Sequence, residues 1–185
     1  KNNNDFYAIL DGFSNVHIMS GHTHYNKNVI KNNIFEHNHG TVCGAWWTGP
    51  ICEDGTPSGY GVYEVNGTDL KWYYQPTGLD RTEQLHIYVD ELTNQKRLIA
   101  NVWNYDPMWK VEYFLDGKAM GNLAQETGFD PLSVKLYKGD KLPNGRTFAE
   151  PKKTDHIFVA HFEPSVKKVK VVVTDRFGEK FIAEA

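Results

Sequence analysis

The alternation of apolar and polar residues is clearest on either side of residues 66–69, Asn-Gly-Thr-Asp. Residues 59–65 and 70–74 alternate with a period of two, which places successive side chains on opposite faces of a strand. Asn-Gly favours a tight turn between two strands, because both residues tolerate a positive φ. The pattern therefore predicts a β-hairpin over residues 59–74.

Short apolar segments separated by turn residues continue to the end of the sequence. We predict seven strands, at residues 84–89, 97–103, 110–115, 133–137, 156–162, 166–174 and 180–183. Short strands with turn signals between them are typical of an antiparallel sandwich of the immunoglobulin or fibronectin III kind. The nearly continuous apolar run at residues 169–173 is expected to form a central strand of it.

The first 40 residues show a different pattern. Apolar residues spaced by three and four predict a short helix over residues 5–13, followed by a strand at residues 16–20. Residues 28–33 are polar and are expected to connect to an apolar segment at residues 34–36. Residues 75–82 are polar and contain Pro76 and Gly78, which predicts a boundary between a first domain at 1–80 and a second at 81–185.

Composition excludes two classes of partner. The chain has 20 basic and 23 acidic residues and a formal charge of −3, so it lacks the positive charge that nucleic acid or an anionic membrane attracts. No apolar run approaches the roughly 20 residues that a membrane helix needs. With 40% hydrophobic residues, the chain has ample material for packed cores.

Two histidine pairs are candidate metal ligands. His22 and His24 follow the predicted strand at 16–20, and two imidazoles at a strand end can share a metal site. A hydrolytic site needs further ligands, so a locally hydrogen-bonded pair is the alternative. His37 and His39 would share one strand face, where they either border a cleft or form an exposed polar surface.

The segment from residue 43 to residue 61 contains further candidates. Cys43 and Cys52 are close enough in sequence for a local disulfide, and free thiols are the alternative. In an extended segment, Trp46 and Trp47 would point in opposite directions, so at most one would face a cleft, and packing against the protein is the alternative for both. Asp54 begins a turn that could contact substrate or serve only backbone geometry.

A third aromatic group lies in the predicted sandwich. Trp103, Tyr105 and Trp109 surround a loop, and exposed aromatic rings on such a loop could stack against sugars. The alternative is a buried core tryptophan beside a loop, which is common in sandwiches of this kind.

Residues 20–24, Ser-Gly-His-Thr-His, resemble the last metal motif of the calcineurin-like metallophosphoesterases. Residues 43–50, Cys-Gly-Ala-Trp-Trp-Thr-Gly-Pro, and 54–61, Asp-Gly-Thr-Pro-Ser-Gly-Tyr-Gly, resemble the secreted Bacteroidetes-type members that carry a β-rich C-terminal domain. The family's ligands occur in the order Asp-x-His, Gly-Asp-x-x-Asp, Gly-Asn-His-Asp/Glu, a lone His and Gly-His-x-His. This sequence contains only the last of these motifs.

The resemblance implies that residues 1–80 close an α/β catalytic domain whose other ligands precede Lys1. It implies a periplasmic or secreted phosphoesterase that holds two divalent ions (Mn, Fe or Zn), one bound by His22 and the other by His24. This chain alone would be inactive, because two histidines cannot hold both ions. The rival hypothesis is a non-catalytic sandwich module that binds a glycan or a protein.

Overall fold

The computed structural model describes residues 3–138 and 149–185, and it confirms the mainly β fold. The first part contains helix α1 (Asn3–Leu10) and strands β1 (Val16–Ser20), β2 (Lys27–Lys31) and β3 (Ile34–Asn38). These strands form one sheet in the order β1-β3-β2, with β1 parallel and β2 antiparallel to β3. β2 lies where the sequence predicted a polar connection, because an edge strand with only one neighbour can be polar.

The predicted hairpin is confirmed. Strand β4 (Gly59–Asn66) pairs antiparallel with β5 (Asp69–Pro76), and Gly67 at the turn has φ +62°. The hairpin packs against the first sheet through Trp72, whose ring makes edge contacts with His17 and Phe35.

Two four-stranded antiparallel sheets form the sandwich. Their strands are β6 (Leu85–Glu91), β7 (Lys96–Val102), β8 (Lys110–Leu115), β9 (Lys118–Asn122), β10 (Ala124–Gly128), β11 (Thr154–Phe162), β12 (Val169–Thr174) and β13 (Lys180–Glu184). The sheet orders are β10-β11-β7-β6 and β13-β12-β8-β9. Side chains of β7, β8, β11 and β12 fill the core, and β12 lies centrally as predicted.

One predicted strand is a helix. Residues 133–137 belong to α2 (Pro131–Tyr137), because Asp130 caps its first turn by accepting a hydrogen bond from the Ser133 amide, 2.8 Å away. Proline at the first helical position favours the same outcome. The strand prediction for these residues was therefore wrong.

The aromatic group around residues 103–109 belongs to the core and does not form a surface. Trp103 and Trp109 are both buried, and Trp109 stacks on Phe181. Tyr105 packs edge-on against Phe158. The alternative of a buried core tryptophan is confirmed, and the two tryptophans offer no platform for a sugar.

Residues 41–58, here called the central loop, connect the first sheet to the hairpin and pack against the sandwich. The Tyr137 hydroxyl of α2 donates to the Ile51 carbonyl over 2.6 Å, and these residues share a small apolar cluster with Ala45 and Ala149. The loop thus contacts elements on both sides of the boundary that the sequence predicts near residue 80. That boundary stays a prediction.

Within the described residues, no helix is both long enough and apolar enough to cross a membrane.

Candidate metal and substrate site

His22 and His24 lie immediately after β1, and both adopt the left-handed backbone region. Their φ angles are 76° and 57°. This conformation costs a non-glycine residue about 1–2 kcal/mol, so it persists only where surrounding contacts hold it. The backbone of the turn after β1 is therefore strained at both histidines, and it fixes where their imidazoles begin.

The ring of His24 is fixed by two contacts. Its Nδ1–H donates to the Gly44 carbonyl over 3.1 Å, and its face stacks on Trp46 with the ring centroids 3.9 Å apart. The Nδ1 bond leaves Nε2 as the nitrogen with a lone pair. Metal-binding histidines commonly use this arrangement, in which a carbonyl holds one nitrogen and the other binds the ion. The His24 environment therefore fits a metal ligand.

Gly44 is required for this contact. Its φ is +57°, and a Cβ atom there would lie only 2.6 Å from the Gly49 carbonyl oxygen. A side chain at this position would displace the carbonyl that orients His24.

Trp46 and Trp47 also adopt left-handed conformations, with φ angles of 55° and 61°. Four of the six non-glycine residues with positive φ in the described part of the chain thus gather around one place. The other two are Asn32 and Asp116, residue types that tolerate this region well. The central loop is a tight turn here, so the expectation of an extended Trp46–Trp47 segment was wrong.

His22 and Trp46 border an open cleft of about 660 Å³. Its lining residues are His22, Thr23, Tyr25, Trp46, Glu53 and Lys152. The Trp46 ring stacks on His24 and makes an edge contact with His22. Trp47 makes an edge contact with His24, and its side chain is 79% exposed. The structure therefore brings His22, His24 and both tryptophans together.

Glu53 and Lys152 are cleft residues that the sequence analysis missed. Burial raises the pKa of the Glu53 carboxyl, and the Glu150 amide, Lys152, His24 and Trp46 act in the opposite direction. The Lys152 backbone N–H donates to the Glu53 carbonyl over 2.8 Å, which joins the two residues across about 100 positions of sequence. No local pattern could have indicated this pairing.

Asp54 is wholly buried and does not face the cleft. Its carboxylate accepts hydrogen bonds from the Asn26 amide, the Thr56 amide and hydroxyl, and His156 Nε2, at 2.7 to 3.0 Å. Asp54 therefore stabilises the turn and does not contact substrate. The preceding residue, Glu53, lines the cleft instead. His156, which had no role in the sequence analysis, is the buried partner of Asp54.

His37 and His39 lie under the hairpin, away from the cleft. His37 is fully buried and shares a hydrogen bond with His17, at 2.9 Å between Nε2 and Nδ1, while His39 hydrogen-bonds the Tyr63 hydroxyl. The alternative of an exposed polar strand face was therefore wrong. Neither ring is among the described residues that line the cleft.

Cys43 and Cys52 are free thiols in the structure, so the disulfide considered from their spacing is not formed. Cys43 Sγ lies 3.2 Å from the Thr41 hydroxyl, and Cys52 Sγ accepts from the Thr41 amide over 3.5 Å. The two thiols thus flank one residue, and Cys52 is buried.

In the described part of the chain, His22 and His24 do not belong to a larger group of potential metal ligands. In residues 3–138 and 149–185, no group of three or more His, Cys, Asp or Glu side chains could hold a metal ion.

Comparison with known proteins identifies the chain at the level of its family. A family model described as the C terminal of calcineurin-like phosphoesterase matches residues 36–181, which is most of the sequence. Neither the search of curated proteins nor the search of solved structures returned a match.

Proposed function

Because this chain belongs to the family described as the C terminal of calcineurin-like phosphoesterase, we propose that it completes a metal-dependent phosphoesterase. His22 and His24 each supply one imidazole to a site for two divalent ions, either Mn, Fe or Zn. When bound, the ions supply Lewis acidity to a phosphoryl group. The observation that carries the proposal is the Gly44 carbonyl holding His24 Nδ1, which leaves Nε2 to bind the ion.

The remaining ligands come from a preceding catalytic segment. Two features support a partner for the first sheet: among the described residues β1 pairs only with β3, and Phe6, Ile9, Phe13 and Met19 in this part of the chain are exposed. Such exposed apolar residues commonly mark surfaces that another segment covers. Without that segment the chain holds too few ligands, and it is catalytically inactive.

The assignment to a secreted type of this family rests on residues 43–61. Their resemblance to secreted Bacteroidetes-type members supports an exported, periplasmic or secreted enzyme that acts on a phosphoester. Sequencing the gene upstream of Lys1 tests this assignment. An N-terminal export signal would support it, and a start without one would contradict it.

The experiment compares three histidine variants in the protein that joins this chain to its preceding segment. With Mn²⁺ and bis(p-nitrophenyl) phosphate, His22→Ala and His24→Ala each lower kcat at least about a hundredfold, the range in which loss of a transition-state contact falls. His161→Ala is the matched control, because His161 is an exposed histidine on β11. Full activity in His22→Ala and His24→Ala would exclude the proposal, and so would Mn²⁺-dependent turnover by the 185-residue chain alone.

A further inference from the structure

We propose that Glu53 is a positioning residue for His24, and that it acts through the indole of Trp46. The inference deepens the proposed function, because the metal-binding role of His24 rests on that function. The contacts that link the three residues can be tested in the 185-residue chain without metal and without turnover.

The first link is the contact between Trp46 and His24. The two rings are stacked, with their centroids 3.9 Å apart and their planes 16° apart. Trp46 also packs against the apolar cluster that contains Ala45, Ile51 and Tyr137. Trp46 therefore joins the metal ligand to this cluster, although its φ of 55° is a costly conformation for a bulky residue.

The second link is the hydrogen bond between Trp46 and Glu53. An indole has one donor, the Nε1–H group, and this donor bonds to the Glu53 carboxyl. Stacking and apolar packing leave a ring free to slide in its own plane, whereas a hydrogen bond has a preferred direction. The Glu53 carboxyl therefore fixes the rotation of the indole, and with it the surface on which His24 rests.

Glu53 suits this role because its own position is fixed by the sandwich. Its carbonyl accepts hydrogen bonds from the Ser133 hydroxyl and from the Lys152 backbone N–H, and its Oε1 accepts from the Glu150 amide over 3.4 Å. The side chain is half-buried at the wall of the cleft. A chain of contacts thus runs from the sandwich through Glu53 to the metal ligand.

The expected effect on metal binding is moderate. The Gly44 carbonyl holds His24 Nδ1, and the Trp46 ring limits how far the imidazole can turn. Removing an outer partner of a metal-binding histidine typically lowers metal affinity or activity by about 10- to 100-fold. Glu53 lies one contact further from the ligand than Trp46, so we expect about a tenfold effect, at the lower end of this range.

The first experiment applies ¹⁵N NMR to the 185-residue chain at about pH 8, where ordinary histidine side chains are neutral, with metal removed by a chelator. In the parent chain, the Trp46 indole N–H should exchange slowly with solvent, and the His24 proton should lie on Nδ1. Glu53→Ala removes the acceptor, Glu53→Asp keeps the charge on a shorter side chain, and Glu53→Gln keeps the length and an acceptor oxygen. We expect the Ala and Asp variants to speed indole exchange and to mix the His24 tautomers, while Glu53→Gln keeps the parent signals.

Glu150→Ala is the matched control, because it removes an exposed carboxylate nearby and keeps the backbone amide that contacts Glu53. It should leave both signals unchanged. Trp46→Phe removes the donor but keeps a stacking ring, so adding Glu53→Ala to it should change the His24 tautomers no further.

Two results would overturn the inference. Parent-like signals in Glu53→Ala would mean that packing alone holds Trp46. Parent-like signals in Glu53→Asp together with disturbed signals in Glu53→Gln would mean that charge matters and the hydrogen bond does not.

The second experiment measures activation by Mn²⁺ in the protein that joins this chain to its preceding segment. Glu53→Ala should raise the Mn²⁺ concentration for half-maximal activity about tenfold, while saturating Mn²⁺ restores kcat and the KM for bis(p-nitrophenyl) phosphate stays unchanged. An unchanged Mn²⁺ requirement in Glu53→Ala would overturn the inference. Full turnover in His22→Ala and His24→Ala, with the His24 ring still disturbed by Glu53→Ala, would overturn the proposed function and leave the link from Glu53 to His24 in place.

Discussion

At the scale of single residues, the buried histidines under the hairpin link stability to pH. Burial, followed by the charges of His17, His39 and Arg176, lowers the pKa of His37 to about 3. Burial also lowers the pKa of His39 to about 4, and that of His17 falls for the same reason with Arg176 contributing. The aromatic rings of Tyr63 and Trp72 cover this cluster and carry no charge at neutral pH.

The sign of the effect follows from these values. Below about pH 6.5 the unfolded chain binds protons at His37 and His39, whereas the folded chain does not bind them there until pH 3 to 4. The free energy of unfolding therefore falls as the pH falls through this window, by about 1.4 kcal/mol per pH unit for each of His37 and His39.

We predict that His37→Phe flattens this dependence between pH 6.5 and pH 4. Phenylalanine keeps the stacking against Phe35 and the edge contact with Trp72, but it removes one titrating group. Urea unfolding at several pH values measures the slope. His161→Ala serves as the control because His161 is exposed and should leave the slope unchanged, and an equal slope in His37→Phe and the parent chain would refute the account.

At the scale of elements, a buried polar network joins the central loop to the sandwich. Asn101 Nδ2 donates to the Asp54 carbonyl and to Asp130 Oδ2, so its Oδ1 faces His156 Nδ1, 2.7 Å away. An amide oxygen can only accept, and the Asp54 carboxylate accepts from His156 Nε2. Both ring nitrogens of His156 are therefore hydrogen-bonded, which joins the ring to Asn101 and to Asp54.

This pairing predicts a large cost for removing one partner. His156→Ala should destabilise the protein by about 3–5 kcal/mol, because it removes two buried hydrogen bonds, to Asn101 and to Asp54, and leaves a cavity. Chemical denaturation measures the loss, and His86→Ala, at an exposed position on neighbouring β6, is the control. A loss below about 1 kcal/mol would show that the pair adds little.

Sequence patterns predicted the elements whose conformation depends on residues close together in sequence. They missed the elements whose conformation depends on contacts between distant parts of the chain. The Asn66-Gly67 turn and the alternating residues on both sides of it predicted the hairpin, and β8 begins and ends where the apolar alternation of 110–115 does. The helix at Pro131–Tyr137 carries an alternating pattern that is also typical of a strand, and its cap at Asp130 and the proline that follows are the signals of a helix. Strand β9 is exposed along its whole length, so no apolar period marks it.

The candidate site likewise contains residues that a local motif predicted and residues that only distant contacts bring together. His22 and His24 were recognisable because a single residue separates them in one motif. Glu53 and Lys152 meet only because α2 and β11 bring the chain back to the central loop, where Ser133 Oγ and the Lys152 amide both donate to the Glu53 carbonyl. Burial of Asp54 depends on His156, 102 residues later, which no spacing rule could supply.

At the scale of the whole molecule, the central loop couples the two parts that the sequence divides near residue 80. It carries Trp46 and Trp47 at one end, and Asp54 in the sandwich network at the other. Gly55 reinforces the junction, because its φ is +85° and a Cβ atom there would collide with the Asp130 side chain. The sandwich thus supports the wall of the cleft as well as its own core.

We therefore predict that residues before and after the predicted boundary unfold together. In a urea titration followed by NMR, signals from Trp46 and Trp72 should disappear at the same denaturant concentration as those from Trp103 and Trp109. His156→Ala should lower the midpoint for all four, since it breaks the network that the two parts share. Two separate midpoints in the parent chain would mean that the parts fold independently, and that the sandwich does not hold the cleft residues in place.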